Sequence, residues 1–289
     1  MSIQLIVDTG CDLPQHVIDE HNMNVLPLVV HVEQEEFFDK ETIQPSNLYG
    51  MMRDGAAPKT SQVPPDRMEA LFRSLAKKKQ SALYLTFSSE LSGTYQTACL
   101  VRDQLIEENI ELDLTIIDSK SASLGYGLMA YYLAKTIQDS EPTIEKIVSH
   151  THALINQMEH IFTVDDLEYL VRGGRVSRTA GFVGGLLKVK PILHMEDGKL
   201  FPLEKVRGSK KVISRIIELI DTRGSKLEDQ TIAISHADSL SRANELKERI
   251  ESKYNVKNIM VNTIGCAIGA HAGPGTLAVF FMNGNPDIE

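Results

Sequence analysis

Short apolar runs alternate along the chain with segments whose apolar residues recur at helical spacing. Gln4-Leu5-Ile6-Val7 reads as a strand that ends in the turn formers Asp8-Thr9-Gly10-Cys11-Asp12, with Asp12 placed to cap a helix begun by Leu13-Pro14. Val25 to Val32 predicts a second strand, Ser46 to Met52 a short helix, and Ala57 to Gln62 a polar loop stopped by Pro64-Pro65. Asp66 to Lys79 has helical period and leads into the apolar run Ala82-Leu83-Tyr84-Leu85-Thr86-Phe87, a buried strand. Leu114 to Ile117 predicts another, followed by helices over Leu124 to Gln138 and Pro142 to Met158. In the second half the pattern predicts a strand at Ile161 to Val164 and a short helix capped by Asp165 that ends at Arg172-Gly173-Gly174-Arg175. Gly181 to Leu187 is apolar and glycine-laced, suited to close packing. Ile192 to Met195 and Leu200 to Val206 form a hairpin about Glu196-Asp197-Gly198-Lys199. Helices at Gly208 to Asp221 and Ser239 to Lys253 alternate with strands at Thr231 to Ser235, Ile259 to Thr263 and Leu277 to Phe281.

Strands alternating with helices predict an α/β fold with a parallel sheet, whose ligand loops gather at the carboxyl ends of the strands. The loops after Val7, Phe87 and Ile117 then lie side by side. A charged break at Gln138 to Glu141 and a lobe boundary near Met158 divide the chain into an N-terminal lobe, 1–158, and a C-terminal lobe, 159–289.

The stretch Ser81 to Leu105 organises the rest. After its strand comes a loop of small and hydroxylated residues, Ser88-Ser89-Glu90-Leu91-Ser92-Gly93-Thr94, and then Ala98, Val101 and Leu105 at helical spacing. A strand, a polar loop and a helix N-terminus gather free backbone N–H groups around an anion. Ser92 and Thr94 add hydroxyl donors, and Gly93 permits close approach to the backbone. The competing reading is that Ser92 only caps the helix.

With 289 residues and 42% hydrophobic content the chain supports a substantial core, and no apolar run reaches the length of a membrane span. Cys11, Cys99 and Cys266 lie far apart with no CxxC pair, which points to a reducing, cytoplasmic compartment and not to a disulfide framework. A net charge of −9 argues against nucleic-acid binding. From Leu170 to Arg215, however, eleven Lys and Arg face three acids, a balance of +8 that leaves −17 on the remainder. That island fits an anionic ligand, an acidic partner or simply a solvated face.

Nucleotide signatures are missing. Gly208-Ser209-Lys210 resembles the end of a phosphate loop, but Leu203 stands where its first glycine belongs. Ser121-Ala122-Ser123-Leu124-Gly125 fails the nucleophile-elbow pattern at its first residue, and His150 and His152 point to different helix faces and cannot share a metal. His271 is the one strong polar side chain in the tract Gly265 to Gly275. It is either a satisfied core histidine or, with Thr60, Ser61, Ser92, Thr94, Arg175 and Arg207, part of a carboxylate site built of hydroxyls and cations.

An ordered series of short motifs resembles the DegV family, the fatty-acid-binding subunits of bacterial fatty acid kinase. It comprises Asp8-Thr9 with Asp12-Leu13, Lys59-Thr60-Ser61-Gln62, Ser92-Gly93-Thr94-Tyr95, Asp118-Ser119 with Ser123 and Gly125, Gly173-Gly174-Arg175, Lys190-Pro191-Ile192-Leu193, Lys205-Val206-Arg207, and His271-Ala272-Gly273-Pro274-Gly275. Val63 before Pro64 and Thr9 after Asp8 depart from the usual family pattern without removing a proposed ligand. The resemblance implies an N-terminal parallel-sheet α/β/α lobe and a C-terminal α/β lobe with a mixed sheet, the ligand lying between them. It implies a long-chain fatty acid whose carboxylate meets Thr60, Ser61, Ser92, Gly93, Thr94 and His271. A separate ATP-binding kinase subunit would convert that carboxylate to an acyl phosphate, with Arg175, Arg207 and His271 supporting the exchange. This chain would then have no catalytic residues, metal or cofactor of its own, and would allow transient membrane contact. The alternatives from the residues alone are a small-ligand enzyme of hydrolase or kinase type, or a regulatory interaction module.

Overall fold

The computed structural model describes residues 3–177 and 189–286. In the N-terminal half, β1 (Gln4–Asp8), β2 (Asn24–Leu26), β6 (Ala82–Thr86) and β7 (Leu114–Asp118) form a four-stranded sheet in the order β2-β1-β6-β7, with each pair parallel. Their two faces are both apolar, as strands covered on both sides require. Leu5, Val7, Leu83 and Leu85 face one core; Ile6, Ala82 and Tyr84 face the other. A small antiparallel sheet, β4-β3-β5, sits beside it and is built from β3 (Val29–Val32), β4 (Glu35–Phe38) and β5 (Lys59–Ser61).

The strand expected over Val25 to Val32 is therefore two strands in two sheets. Pro27 lies between them and has no N–H to carry one ladder through. The loop expected at Ala57 to Gln62 likewise contains β5, because hydroxylated residues pair as well as apolar ones on a sheet edge.

Helices α1 (Gln15–Glu20), α2 (Pro45–Arg53), α3 (Pro65–Lys78), α4 (Thr94–Glu107), α5 (Ser123–Ser140) and α6 (Ile144–Gln157) flank these sheets. Asp12 does not cap α1, which begins after Pro14. It closes a 3-10 turn at a φ of 52° and is fully buried. Helix α5 is apolar nearly all round because it lies between two sheets. Its core cluster joins Leu83 and Leu85 of β6 to Phe162, Ala278 and Phe280 of the C-terminal half.

That half is a six-stranded mixed sheet, β10-β9-β8-β13-β11-β12. It comprises β8 (Met158–Thr163), β9 (Val189–Glu196), β10 (Lys199–Arg207), β11 (Thr231–His236), β12 (Asn258–Thr263) and β13 (Leu277–Met282), of which only β11 and β12 pair in parallel. The helices are α7 (Glu168–Arg172), α8 (Ser209–Arg223), α9 (Leu240–Lys253) and α10 (Cys266–Ala272). Buried residues of α8 and α9 pack on the face of this sheet opposite α5. Asp165 does not cap α7. Asp166 accepts the Glu168 N–H at 2.9 Å, while Asp165 pairs with Lys190 at 2.8 Å. The glycine-laced run Gly181 to Leu187 lies outside the described residues.

The three carboxyl-end loops of the parallel sheet do lie together. The Phe87 N–H donates to Asp8 Oδ2 at 2.9 Å, and the Ser89 N–H donates to Asp118 Oδ1 at 3.0 Å. Burial pushes the Asp8 carboxyl up to about 7, against the two backbone N–H groups that favour its charge. Among the described residues, no helix is long and apolar enough to cross a membrane.

Candidate functional site

A cavity of about 660 Å³ opens between the lobes, within the usual range for small-molecule sites. One wall is the face of the mixed sheet that looks toward α5, with Phe162, Met195, Leu200, Ala278 and Phe280. Strand alternation brings these to one side: Phe162 pairs with Leu193 and with Ala278, and Leu200 pairs with Met195. The facing wall holds Leu28, Phe87, Leu91 and Ala122 of the N-terminal half. The lining is mainly apolar, with hydroxyls and an imidazole gathered at one end and Ser123, His160 and Ser235 as further polar groups.

At the polar end β5, the Ser92 loop and α10 converge. Thr60 Oγ1 lies 2.6 Å from His271 Nε2, a contact across the lobes. Ser61 Oγ lies 2.8 Å from His31 Nε2, whose Nδ1 is 3.8 Å from Glu36. Ser92 Oγ lies 2.9 Å from Thr94 Oγ1 and accepts the Thr94 N–H at 3.3 Å. The cap of α4 is Gly93, so Ser92 supports the first helical N–H without being the cap residue. Thr60, Ser61, Ser92, Gly93, Arg175 and His271 all line the cavity.

Two sequence-predicted groups are not in that lining. Thr94 is fully buried; its hydroxyl holds Ser92 and accepts the Val63 N–H at 3.4 Å, so it reaches the cavity only through Ser92. Arg207 is exposed at the end of β10. At Gly93, which lines the cavity, the place of a Cβ is taken by Gln62, whose Oε1 would lie 2.2 Å from it. Gln62 Nε2 in turn donates to Thr97 Oγ1 at 2.5 Å.

His271 is held neutral. Burial, and then the nearby cations Arg175 and Arg172, push its imidazole down to about 4. A Cβ at Gly173 would meet His271 Nδ1 at 2.1 Å, so only glycine fits beneath the ring. Arg175 does not extend a free guanidinium into the cavity. Its Nε and Nη2 donate to Leu91 O at 3.1 and 2.9 Å, and Nη1 donates to Gly173 O. It therefore braces the turn under His271 against the Ser92 loop, and burial moves its pKa down from the ordinary value.

Sequence reasoning missed a second polar cluster behind α10. Asp39 Oδ1 and Oδ2 accept the N–H groups of Cys266 and Ala267 at 2.8 and 3.1 Å. Asp12 Oδ1 accepts the Gly265 N–H at 2.7 Å and lies 3.7 Å from Lys40 Nζ. Its Oδ2 accepts from Ser123 Oγ at 2.6 Å, and Ser123 lies 2.9 Å from Ser235 Oγ. Burial raises Asp12 to about 6, opposed by Lys40 and by the hydrogen bonds from Ser123 and Gly265. In the sequence Asp39 stands alone in a turn, and nothing there signals that it meets residues more than two hundred positions away.

Hydrolase chemistry finds a weak foothold. Ser121 Oγ lies 2.5 Å from His160 Nε2, but Ser121 is buried and outside the cavity lining. Burial pushes His160 down to about 4, and among the described residues no carboxylate bonds its Nδ1 to orient it as a base. The basic island is partly neutralised: Lys190 pairs with Asp165, Lys199 with Glu90, and Arg215 with Glu204 and Glu218. Among the described residues, no group of three or more His, Cys, Asp or Glu is arranged to hold a metal ion.

A sequence model of the DegV family, described as an uncharacterised protein family, matches residues 2–284. The chain is similar to a DegV domain-containing protein of Clostridium perfringens, with 38% identity over 281 residues and 96% of each chain covered. Among solved structures it is similar to a DegV family protein from Thermus thermophilus described by its fatty acid binding, at a TM-score of 0.89 and 29% identity, covering 97% of this chain and 99% of that one. It is likewise similar to DegV of Bacillus subtilis, described as a fatty acid binding protein, at a TM-score of 0.86 and 30% identity, covering 98% and 99%.

Proposed function

The chain belongs to the DegV family, and from that premise we propose that it binds one long-chain fatty acid in the interlobe cavity. The observation that carries this reading is a mainly apolar cavity in which hydroxyls and a neutral imidazole gather where β5, the Ser92 loop and α10 meet. Each buried methylene contributes about 0.8 kcal/mol, so a common acyl chain supplies on the order of 10 kcal/mol before the costs of association. The carboxylate offers only acceptors. Thr60, Ser61 and Ser92 therefore turn their O–H groups toward it, while Nε2–H of His271 donates to Thr60 Oγ1. Charge-assisted bonds of this kind contribute roughly 1.5–3 kcal/mol each. The tail sets affinity and the head sets orientation.

The carboxylate sits at the end of the cavity, so we further read the chain as a carrier that presents it to a separate ATP-binding kinase subunit for conversion to acyl phosphate. The chain itself then performs no catalysis and holds no cofactor. His271 supports the exchange from the cavity, and Arg207, on the open surface, suits partner contact better than ligand contact. The test measures ATP consumption by a cognate kinase alone, by this chain alone, and by both with oleate present. The reading expects turnover only in the mixture. Turnover by this chain alone overturns it, and lipid binding without stimulation of any cognate kinase leaves a lipid-binding protein only.

A further inference from the structure

Helix α10 is the element that carries His271 to Thr60, and its beginning is gripped by the opposite lobe. Asp39 is fully buried and places one carboxylate oxygen on each of the first two helical N–H groups, Cys266 and Ala267. Asp12 takes the preceding N–H, that of Gly265, and the Tyr49 hydroxyl donates to Ile264 O at 2.8 Å. Ala267 and Ala270 pack in the N-terminal core beside Leu48 and Tyr49. Asp12 and Ser123 both sit at positive φ, 52° and 54°, a conformation that non-glycine residues keep only when their surroundings fix it. His271 follows five residues after Cys266, about one and a half helical turns, so displacement of the first turn is carried rigidly to the imidazole.

We propose that Asp39 is a positioning residue for the head-group site, acting through α10 to hold His271 against Thr60. This rests on the fatty-acid reading for its ligand, but not for its geometry. Asp39→Asn is nearly isosteric yet keeps one acceptor. Whichever way the amide turns, its new NH₂ faces one of the two helical N–H groups, donor against donor, and lifts the first turn of α10.

The test is a double-mutant cycle on oleate affinity with wild type, Asp39→Asn, His271→Ala and the double variant, read beside the side-chain ¹⁵N resonances of His271. The proposal expects Asp39→Asn to weaken oleate binding about tenfold when His271 is present and less than twofold when it is absent, with the Nε2 resonance displaced in the single variant. Equal weakening in both backgrounds, or an unmoved His271 resonance, overturns it and leaves Asp39 a stability residue. If Asp39→Asn does not fold, Asp39→Ser, which keeps a short acceptor, takes its place, and failure of both to fold also overturns the proposal. A wild-type chain that binds no oleate defeats the fatty-acid reading instead, and the His271 resonance alone then decides the role of Asp39.

Discussion

Two polar clusters face each other across α10 and use their hydrogen bonds in different ways. Behind the helix, each oxygen of Asp39 and Asp12 meets a backbone N–H or a hydroxyl, and both carboxylates are fully buried, with Ser123 and Ala267 among their partners reaching the cavity lining. In front of it, Thr60, Ser61 and Ser92 line the cavity, and each hydroxyl meets a side-chain partner that can itself be the donor, so that the hydroxyl hydrogen can turn into the cavity. A buried cluster whose groups are satisfied within the protein acts as scaffold. One with spare donors at the end of an apolar cavity acts as a receptor for an acceptor-rich group.

The largest effect expected from breaking this contrast is on the scaffold side. Asp12→Ala strands the Gly265 N–H and leaves Lys40 without its partner, and should lower unfolding free energy by about 3 kcal/mol in denaturant titrations. A change under ~1 kcal/mol would show that the cluster is not structural. Next, Gly173→Ala drives a methyl group into His271 and should weaken oleate binding by ~2 kcal/mol in calorimetry, with a smaller loss of stability. Ser92→Ala should cost roughly 1.5–3 kcal/mol of oleate affinity and no more than about 1 kcal/mol of stability, since its hydroxyl also supports Thr94. Loss of stability with unchanged affinity would return Ser92 to the scaffold.

The pH dependence sharpens the same contrast. A histidine pushed down to about 4 in the folded state stays unprotonated where the unfolded chain, near 6.5, takes up protons. His271 therefore adds stability fully present above pH 6.5 and lost as pH falls toward 4. Asp12, raised to about 6, works in the opposite sense: its contribution is complete below the unfolded carboxyl value of 3.8 and is lost as pH rises through 6. Relative to His271→Gln, wild type should gain about 1.4 kcal/mol per pH unit between pH 4 and 6.5. Parallel stability curves for the two proteins would contradict the neutral-imidazole assignment. The smallest effect belongs to Arg207→Ala, which should change oleate affinity by less than ~0.5 kcal/mol, because the exposed side chain does not line the cavity.

Most strands and helices were legible because their apolar period is strong. Ala82 to Thr86 is buried on both sheet faces, and the α3 and α9 stretches carry one apolar side. What periodicity could not show was where chain direction changes without a change in composition. The run Val25 to Val32 is apolar but for His31, yet Pro27 divides it between two sheets. Helix α10 carries no helical signal in the sequence, since Gly265, Gly269 and Gly273 argue against a helix until tertiary packing against Tyr49 supports one. The hydroxyl loop at Ser92 and the isolated His271 announced a polar site; the resemblance, not the residues alone, supplied the lipid. Asp39 and Lys40 carried no local signal. Their partners arrive through the fold.

The central claim is that the cavity holds a fatty acid by its apolar wall and orients it by the hydroxyl and imidazole end. Native mass spectrometry of freshly purified protein, followed by denaturing extraction and lipid analysis, tests it most directly. The account predicts about one long-chain acid per chain, carried from the expression host and displaced by added oleate. Repeated preparations without lipid, and no uptake of added oleate or palmitate, would contradict it.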